Sequence, residues 1–250
     1  MKFTYDSYIK SINSAIEKGF KLTLFHEKKD GLKMYLRHDV DTNLKKASQL
    51  AKLEYDAGFK STYYILLTSD FYNIFSTDGL KCVKEIISYG HDIGVHFDSL
   101  KYTIENEKDM TDKILFEKET LETFFDIEIK SFSMHRPLPD YLNKDIIING
   151  MFYTYSPKFM TDTEYVSDSR MRWKTDYDNA VDNCVKQNKN IQVLTHAFWY
   201  GENEKSINDI CLNEFNAATD NLYNAFKMQI SDFDSILNKD VYISKMKRGA

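Results

Sequence analysis

Ionisable residues that could bind a metal ion or move a proton stand at the ends of four apolar runs in this 250-residue sequence. Carboxylates and imidazoles are ligands of zinc-like ions, and the same groups act as general bases and acids near neutral pH. If the four runs are strands of one parallel sheet, their ends converge on one site. The residues in question are Asp39 and Asp41, His96 and Asp98, His135 and Arg136, and His196.

Asp39 and Asp41 are two residues apart, so on an extended strand their side chains share a face. Arg37 is the only basic residue in step with them, and one cation does not balance two carboxylates. This pattern favours a metal ligand beside a general base, because a metal ion stabilises both as anions. The alternative is that Asp41 caps the next helix while Asp39 pairs with Arg37 or is solvated. Thr42 and Asn43 could provide that cap instead.

The histidines raise similar alternatives. His91 and His96 are five residues apart and face opposite sides of a strand, so we expect His96 to be the ligand and His91 a structural hydrogen-bonding group. His135 and Arg136 could bind a metal and a substrate oxygen, or could be an ordinary strand-end pair. His196 precedes an aromatic run, and Phe198 and Trp199 in that run could stack on a sugar or belong to the core.

The elements that must position these residues alternate between strand and helix patterns. Apolar runs typical of strands lie at 34–40, 62–67, 92–97, 129–134 and 191–195, and helical stripes separate most of them. A long final helix is predicted from about Ile207 to Ile236. The pattern predicts an α/β fold, a distorted β/α barrel of about seven parallel strands. We expect a single domain over 1–250, with the N-terminal helix and the long C-terminal helix as additions.

Composition excludes several functional classes. The formal charge of −5 argues against non-specific binding to nucleic acid, and the basic segment from Lys245 to Arg248 is too short to change that. The N-terminus has no uninterrupted apolar segment and no later run approaches a membrane span, so a cytoplasmic location is predicted. The three cysteines form no CxxC pair and are expected to be reduced core residues.

With these residues in order, the sequence resembles the polysaccharide deacetylase family, the NodB-homology group of carbohydrate esterases, in its divergent branch with an RHDVD-type first motif. The similarity runs from about Met34 to Trp199 through five ordered motifs. In the first motif it implies a general base at Asp39 and a metal ligand at Asp41. The second motif begins at His96, but Leu100 stands where the family has a second histidine.

The remaining motifs imply roles for four more residues. Arg136 matches an arginine that orients the base. Asp168 and Trp173 resemble the fourth motif, and Leu194 to His196 resembles the fifth. By this resemblance His196 is the general acid and Asp168 orients it. We expect Trp173 to contact substrate, together with the aromatic residues Phe198 and Trp199.

Leu100 cannot coordinate a metal, so a third protein ligand is needed. Catalytic zinc commonly has three protein ligands and an open position. His135 ends a neighbouring strand on the same face, which predicts a site of Asp41, His96 and His135, with Asp98 as the replacement if His135 only contacts substrate.

The predicted function is a hydrolase with one divalent metal ion, zinc in our prediction, that removes an acetyl or formyl group from an amino sugar. A nucleotide-linked or lipid-linked precursor of bacterial surface polysaccharide is the expected substrate. Two alternatives stay open: a catalytically inactive, glycan-binding relative of the deacetylases, and a metal-dependent hydrolase of another bond. The sequence does not predict an oligomeric state.

Overall fold

The structure is a computed structural model that describes residues 1–239 and residue 241. Contacts divide the chain into two compact units, Met1–Glu204 and a unit that begins at Lys205. The first unit contains the whole sheet, and the second contains the C-terminal helices. The single domain over 1–250 therefore stays a prediction, and the segment from Lys245 to Arg248 lies outside the described residues.

The elements alternate as the sequence predicts. In chain order they are α1 (Tyr5–Glu17), β1 (Lys21–Leu22), β2 (Lys33–Val40), α2 (Leu44–Asp56), β3 (Thr62–Ile65), α3 (Thr77–Ser88), β4 (Asp92–Phe97), α4 (Glu107–Phe125), β5 (Ser131–Met134), β6 (Phe152–Tyr153), α5 (Pro157–Met160), β7 (Thr163–Ser167), α6 (Tyr177–Gln187), β8 (Asn190–Thr195), α7 (Ile207–Gln229) and α8 (Phe233–Ile236). Short 3₁₀ turns follow β4, β5 and β8, at Ser99–Lys101, Pro139–Tyr141 and Ala197–Trp199.

One parallel sheet organises the first unit. Its strands lie in the order β6-β5-β4-β3-β2-β8-β7, and the short β1 pairs with the start of β2. Within the described chain, β6 and β7 form the two edges and do not pair with each other, so the barrel is open. The predicted α/β barrel-like fold of about seven parallel strands is confirmed.

β2 is the interior strand, between β3 and β8, that places the first two carboxylates. Every residue after Lys33 in this strand is buried, as expected for a parallel strand covered on both faces. The α2 helix that follows is capped by Asn43, whose side chain accepts a hydrogen bond from the Lys46 N–H. Asp41 is therefore not the helix cap, which removes the structural alternative for that carboxylate.

The C-terminal helix is shorter than predicted. α7 ends at Gln229, Ile230 is extended, and Asp232 adopts a left-handed conformation with φ of 56° before α8 begins. Ser and Asp favour such turns because their side chains hydrogen-bond to nearby backbone. The predicted continuous helix to Ile236 is wrong at this break.

Two predictions from composition are tested by the structure. No helix in the described part of the chain is long and apolar enough to cross a membrane. The three cysteines are free, and Cys82 and Cys184 are buried as small core residues.

Candidate metal centre

A cleft of about 230 Å³ opens at the carboxyl ends of the strands. The loops after β2, β3, β4, β5 and β8 line it, which is where active sites of β/α barrels form. The predicted site residues that line this cleft are Asp39, Asp41, His135, Arg136, His196, Phe198 and Trp199. His96 lies just beneath the cleft surface, only 1% exposed.

Asp41, His96 and His135 meet at one point in this cleft. Asp41 Oδ1 lies 3.0 Å from His96 Nε2 and 3.0 Å from His135 Nδ1, and the two ring nitrogens are 3.2 Å apart. The predicted convergence of these three residues is confirmed, including His135, which was the least constrained of them by sequence.

The spacing of these three atoms suits a shared divalent ion. Ligand atoms about 2.0–2.1 Å from a tetrahedral zinc ion lie about 3.3 Å from each other, close to the separations observed. Hydrogen bonds from His135 and His96 hold the pKa of Asp41 well below its usual range, although burial acts in the opposite direction. The cluster therefore contains a permanent carboxylate and two imidazoles, which is a donor set that zinc prefers.

Three neighbouring residues do not belong to this cluster. Leu100 has no ligating atom, and its side chain is 67% exposed. Asp98 also lines the cleft, but both of its oxygens accept hydrogen bonds, one from the Leu100 N–H and one from Arg136. His91 is hydrogen-bonded to the Ala51 carbonyl at 2.9 Å, as the structural assignment predicted.

Asp39 lies beside the cluster; one of its carboxylate oxygens is hydrogen-bonded to Arg37, and the other can accept a further hydrogen bond. Its Oδ2 accepts a hydrogen bond from Arg37 Nη2 at 2.9 Å and lies 3.8 Å from His96 Nε2. Its Oδ1 is buried and has no hydrogen-bond partner among the described residues. Because the side chain lines the cleft, this oxygen can accept a proton from a bound molecule.

The cation that orients Asp39 is Arg37 and not Arg136. Arg37 is fully buried, and it also donates to the Tyr155 hydroxyl at 2.8 Å. Arg136 instead donates to Asp98 at 3.0 Å, and its side chain is 57% exposed at the cleft. The predicted contact between Arg136 and Asp39 is wrong. The contact between Arg37 and Asp39 is the alternative that the sequence left open for this carboxylate, and their spacing on one strand face explains it.

His196 and Asp168 form a tight pair on the other side of the cluster. Asp168 is fully buried; one oxygen lies 2.6 Å from His196 Nδ1, and the other accepts the His196 backbone N–H at 3.1 Å. The predicted contact is confirmed. Because Asp168 binds Nδ1, the other ring nitrogen of His196, Nε2, faces the cluster and lies 3.6 Å from Asp41 Oδ2.

This pair also changes the acidity of His196. Burial lowers the pKa of the imidazole, but the charges of Asp168, Asp41 and Asp39 and the hydrogen bond from the ring to Asp168 outweigh burial and raise it to about 9. His196 is therefore a protonated imidazole at neutral pH when no metal ion is bound, which is the form that a general acid requires.

We expect NMR titration of the metal-free protein to place the His196 transition near pH 9. Because the folded-state pKa is raised, the charge of His196 stabilises the fold below its unfolded pKa of about 6.5, and this contribution is lost as the pH rises through 9. Asp168→Asn should move the transition to lower pH, since the largest stabilising charge is removed. A wild-type transition near 6.5 would contradict the pairing.

The aromatic residues divide into two groups. Phe198 and Trp199 line the cleft, in agreement with a role in substrate contact. Trp173 does not line it; its ring packs against the apolar core, 5.7 Å from the ring of Tyr177. Between Asp168 and Trp173 the chain turns through two residues with positive φ, a local path that the motif alone does not reveal. Trp173 therefore lies apart from the residues that line the cleft, and its contact with substrate stays a prediction.

Comparison with known proteins gives matches among solved structures alone. No protein-family model and no curated protein sequence matches the chain. A mutant of a pseudoenzyme of carbohydrate esterase family 4 is similar at 10% identity and a TM-score of 0.42, over 77% of this chain and 65% of that one. A peptidoglycan deacetylase from Bdellovibrio bacteriovorus is similar at 11% identity and 0.42, over 71% of this chain and 50% of that one.

A family 4 acetyl xylan esterase from Clostridium thermocellum, solved with a cobalt ion, is similar at 14% identity and a TM-score of 0.38, over 66% of this chain and 73% of that one. The chain thus spans about half to two thirds of the length of the first two structures. The first and third of these proteins belong to carbohydrate esterase family 4. Similarity this distant does not determine an activity, so the function proposed for this chain follows from the side chains described above.

Proposed function

We propose that this protein is a metal-dependent amide hydrolase that removes an acetyl or formyl group from an amino sugar. The observation that supports it is the placement of a buried carboxylate and a charged imidazole on two sides of one metal-ligand cluster. Asp39 has an available oxygen on one side, and His196 presents Nε2 on the other. A binding module has no use for both a base and an acid at the same point.

Amide hydrolysis needs a nucleophilic water, stabilisation of the tetrahedral oxyanion and a proton for the leaving amine. Asp41, His96 and His135 would hold a divalent ion, zinc in our proposal, which when bound would lower the pKa of water from about 15.7 to about 7 and polarise the carbonyl. Asp39 takes one proton from the water, and His196 gives one to the amine nitrogen. The products are acetate or formate and a free amine.

Neighbouring residues orient the proposed base and acid. Arg37 donates a charge-assisted hydrogen bond to Asp39 Oδ2 and holds that carboxylate in place. Asp168 bonds to His196 Nδ1, which fixes the ring orientation and leaves Nε2 to face the cleft. Asp39 is therefore oriented to accept a proton, and His196 is oriented to donate one.

The cleft also carries groups suited to a sugar. Phe198 and Trp199 offer apolar ring surface, on which the C–H face of a sugar can stack. Arg136 offers guanidinium N–H groups at the mouth, since Asp98 uses Nη2 and more than half of the side chain is exposed. We propose that the substrate is a nucleotide-linked or lipid-linked amino sugar used in surface-polysaccharide assembly.

Leu100, which replaces a family histidine, favours the alternative of an inactive glycan-binding relative. The position of His135 opposes this alternative, because it restores a third donor within 3.0 Å of Asp41. Metal content separates the two directly, since the inactive protein needs no bound ion.

The proposed function is tested with purified, zinc-loaded protein and a panel of N-acetylated and N-formylated amino sugars, free and as nucleotide or polyprenyl diphosphate derivatives. Released acetate and formate are quantified, together with the new amine. We expect one acyl class and one carrier class to be preferred. No acyl release from any member, by a protein with a full metal complement, would contradict the proposal.

We expect Arg136→Gln to raise KM by about tenfold while kcat and metal content stay close to wild type. Loss of a charge-assisted hydrogen bond to substrate costs about 1.5–3 kcal/mol, and the Arg136 guanidinium is bonded to Asp98, whereas Asp39 is bonded to Arg37. Arg172→Gln, which removes the same charge from an exposed residue outside the cleft, is the matched control. A kcat loss as large as that of a base variant would instead restore Arg136 to the catalytic group.

A further inference from the structure

A second cluster of polar side chains is buried on the opposite face of β2 and β8 from the cleft. Its centre is made of one carboxylate, one imidazole and four hydroxyl groups, each in a residue that is 0% exposed, and a second imidazole, that of His91, borders it at 3.1 Å from the Ser61 hydroxyl and 3.7 Å from the Glu54 carboxylate. We name it the Glu54 cluster; its members are Glu54, His38, Thr195, Tyr8, Tyr63 and Ser61. The mechanism above uses none of them.

Glu54 of α2 is the centre of this cluster. Its Oε1 is bonded to His38 Nε2 at 2.9 Å and accepts the Tyr8 hydroxyl, while its Oε2 accepts Ser61 at 2.7 Å and Tyr63 at 2.8 Å. Burial raises the pKa of Glu54, but His38 and the other partners outweigh it and lower the pKa to about 2. The cluster therefore contains a fully buried carboxylate anion with four partners.

His38 extends this cluster to a second strand. A carboxylate can only accept hydrogen bonds, so the His38 Nε2 that meets Glu54 carries a proton. On the other side of the ring, His38 Nδ1 and the Thr195 hydroxyl share a hydrogen bond of 2.6 Å. His38 and Thr195 are also partners in the register of β2 with β8. The chain of bonds from Glu54 through His38 to Thr195 thus ties α2, β2 and β8 together.

The strand positions linked in this way directly precede the proposed base and acid. His38 precedes Asp39, and Thr195 precedes His196. Successive side chains of a strand point to opposite faces of the sheet. The hydrogen bond between His38 and Thr195, on the face away from the cleft, therefore restricts the backbone that carries Asp39 and His196. The two strand residues of this hydrogen-bond chain are thus each one residue away from a group that must move a proton.

We propose that Thr195 and His38 are positioning residues, which set the distance between Asp39 and His196 through the Glu54–His38–Thr195 hydrogen bonds. This inference rests on the proposed function for its kinetic readout. Neither residue touches the cleft, so each acts through the neighbour that follows it in the chain.

Stability alone is a weak reason for such a cluster. Replacing a buried charged network with well-packed apolar residues often leaves a protein as stable or more stable. Directional hydrogen bonds instead restrict orientation, and a displacement of about 1 Å at a reacting group can cost about 100-fold in rate. The cluster is therefore better explained by the geometry that it imposes on the cleft.

The test compares three variants of the zinc-loaded protein. Thr195→Val removes the hydroxyl that meets His38 and keeps a branched side chain of similar size. Thr195→Ser keeps the hydroxyl. Tyr63→Phe is the matched control, since it removes another hydroxyl bonded to Glu54 but keeps the ring that packs on His38 at 4.4 Å.

We expect Thr195→Val to lower kcat by about tenfold or more, with KM and metal content within twofold of wild type. Thr195→Ser should restore most of the loss, and Tyr63→Phe should lower Tm without lowering kcat. Equal kcat in Thr195→Val and wild type would overturn the inference. A kcat loss in Tyr63→Phe, accompanying its lower Tm, would overturn it as well, because the kcat effect would then follow from lost stability.

A second readout does not require activity. In ¹H–¹⁵N spectra of histidine-labelled, zinc-loaded protein, Thr195→Val should shift the ring signals of both His38 and His196, whereas Tyr63→Phe should shift those of His38 and of His91, whose ring packs against Tyr63 at 5.3 Å, and leave those of His196 unchanged. Unchanged His196 signals in Thr195→Val would overturn the inference. If the wild-type protein hydrolyses no substrate, the proposed function fails, and these spectra still decide whether Thr195 positions His196.

Discussion

We expect the Asp39→Asn variant to fold, to keep its metal ion and to lose about 10²- to 10⁴-fold in kcat, the range that a general base contributes. Asparagine has nearly the shape of aspartate, so the packing around Arg37 is retained, but its amide cannot take a proton from water at neutral pH. The defect should lie in kcat, because Asp39 is assigned no role in holding the sugar. Steady-state kinetics and metal analysis of the same preparation measure both quantities.

Asp70→Asn is the matched control for that variant. Asp70 also lines the cleft, but it is 75% exposed and is bonded to Lys101 at the mouth. The same chemical change there should leave kcat within about threefold of wild type, as expected for an exposed ion pair. If Asp39→Asn kept more than a tenth of wild-type kcat, the base would have to be another group.

The second large effect is expected from His135→Leu, which should weaken zinc binding by several orders of magnitude with little loss of fold. His135 Nδ1 is one of the three ligand atoms of the cluster, together with Asp41 Oδ1 and His96 Nε2, so only two protein ligands would remain. Leucine fits a position that is already partly buried, so the change affects the ion more than the packing. Competition with a chelator of known affinity measures the loss.

His26→Leu provides the comparison for this variant, since His26 pairs with Asp92 and does not line the cleft. It should bind zinc as the wild type does. A His135→Leu protein that purified with a full metal complement would reassign His135 to substrate contact. The third ligand would then have to come from a rearranged Asp98, which in the structure is bonded to Arg136.

The main features of the fold could be predicted because their signals are local. The β2 strand and the α2 helix that follows it are each visible in the periodicity of one short segment. Parallel strands in turn place the residues at their carboxyl ends together, which is why Asp41, His96 and His135 could be grouped before any distance was known. The break after Gln229 was missed because the apolar stripe continues across it.

Two positions at the site could not be predicted, for a different reason. Motif order places Arg136 near the cleft but does not say which carboxylate its side chain reaches, and the predicted pairing with Asp39 is wrong. The position of Trp173 depends on the loop before it, which turns through Arg170 and Met171, where φ is 59° and 52°. Both side chains lie on loops, whose paths depend on contacts distant in sequence.

The Glu54 cluster had no sequence signal. His38 meets Glu54 16 residues away and Thr195 157 residues away, and the cluster's tyrosines look like ordinary core residues. A buried carboxylate on an otherwise amphipathic helix is indistinguishable from a solvated one until its partners are known. Long-range polar networks of this kind are therefore visible only in the structure.

We propose that Asp41, His96 and His135 hold the ion at which an N-acyl group is hydrolysed. The most direct measurement is a titration of metal-free protein with zinc, in which bound zinc and acyl release from the best substrate of the panel are followed in the same samples. We predict that hydrolysis is absent without metal, rises in proportion to bound zinc and saturates at about one ion per chain, as expected for one site with three protein ligands. Acyl release at full rate by the metal-free protein, or none at one bound ion per chain, would contradict it.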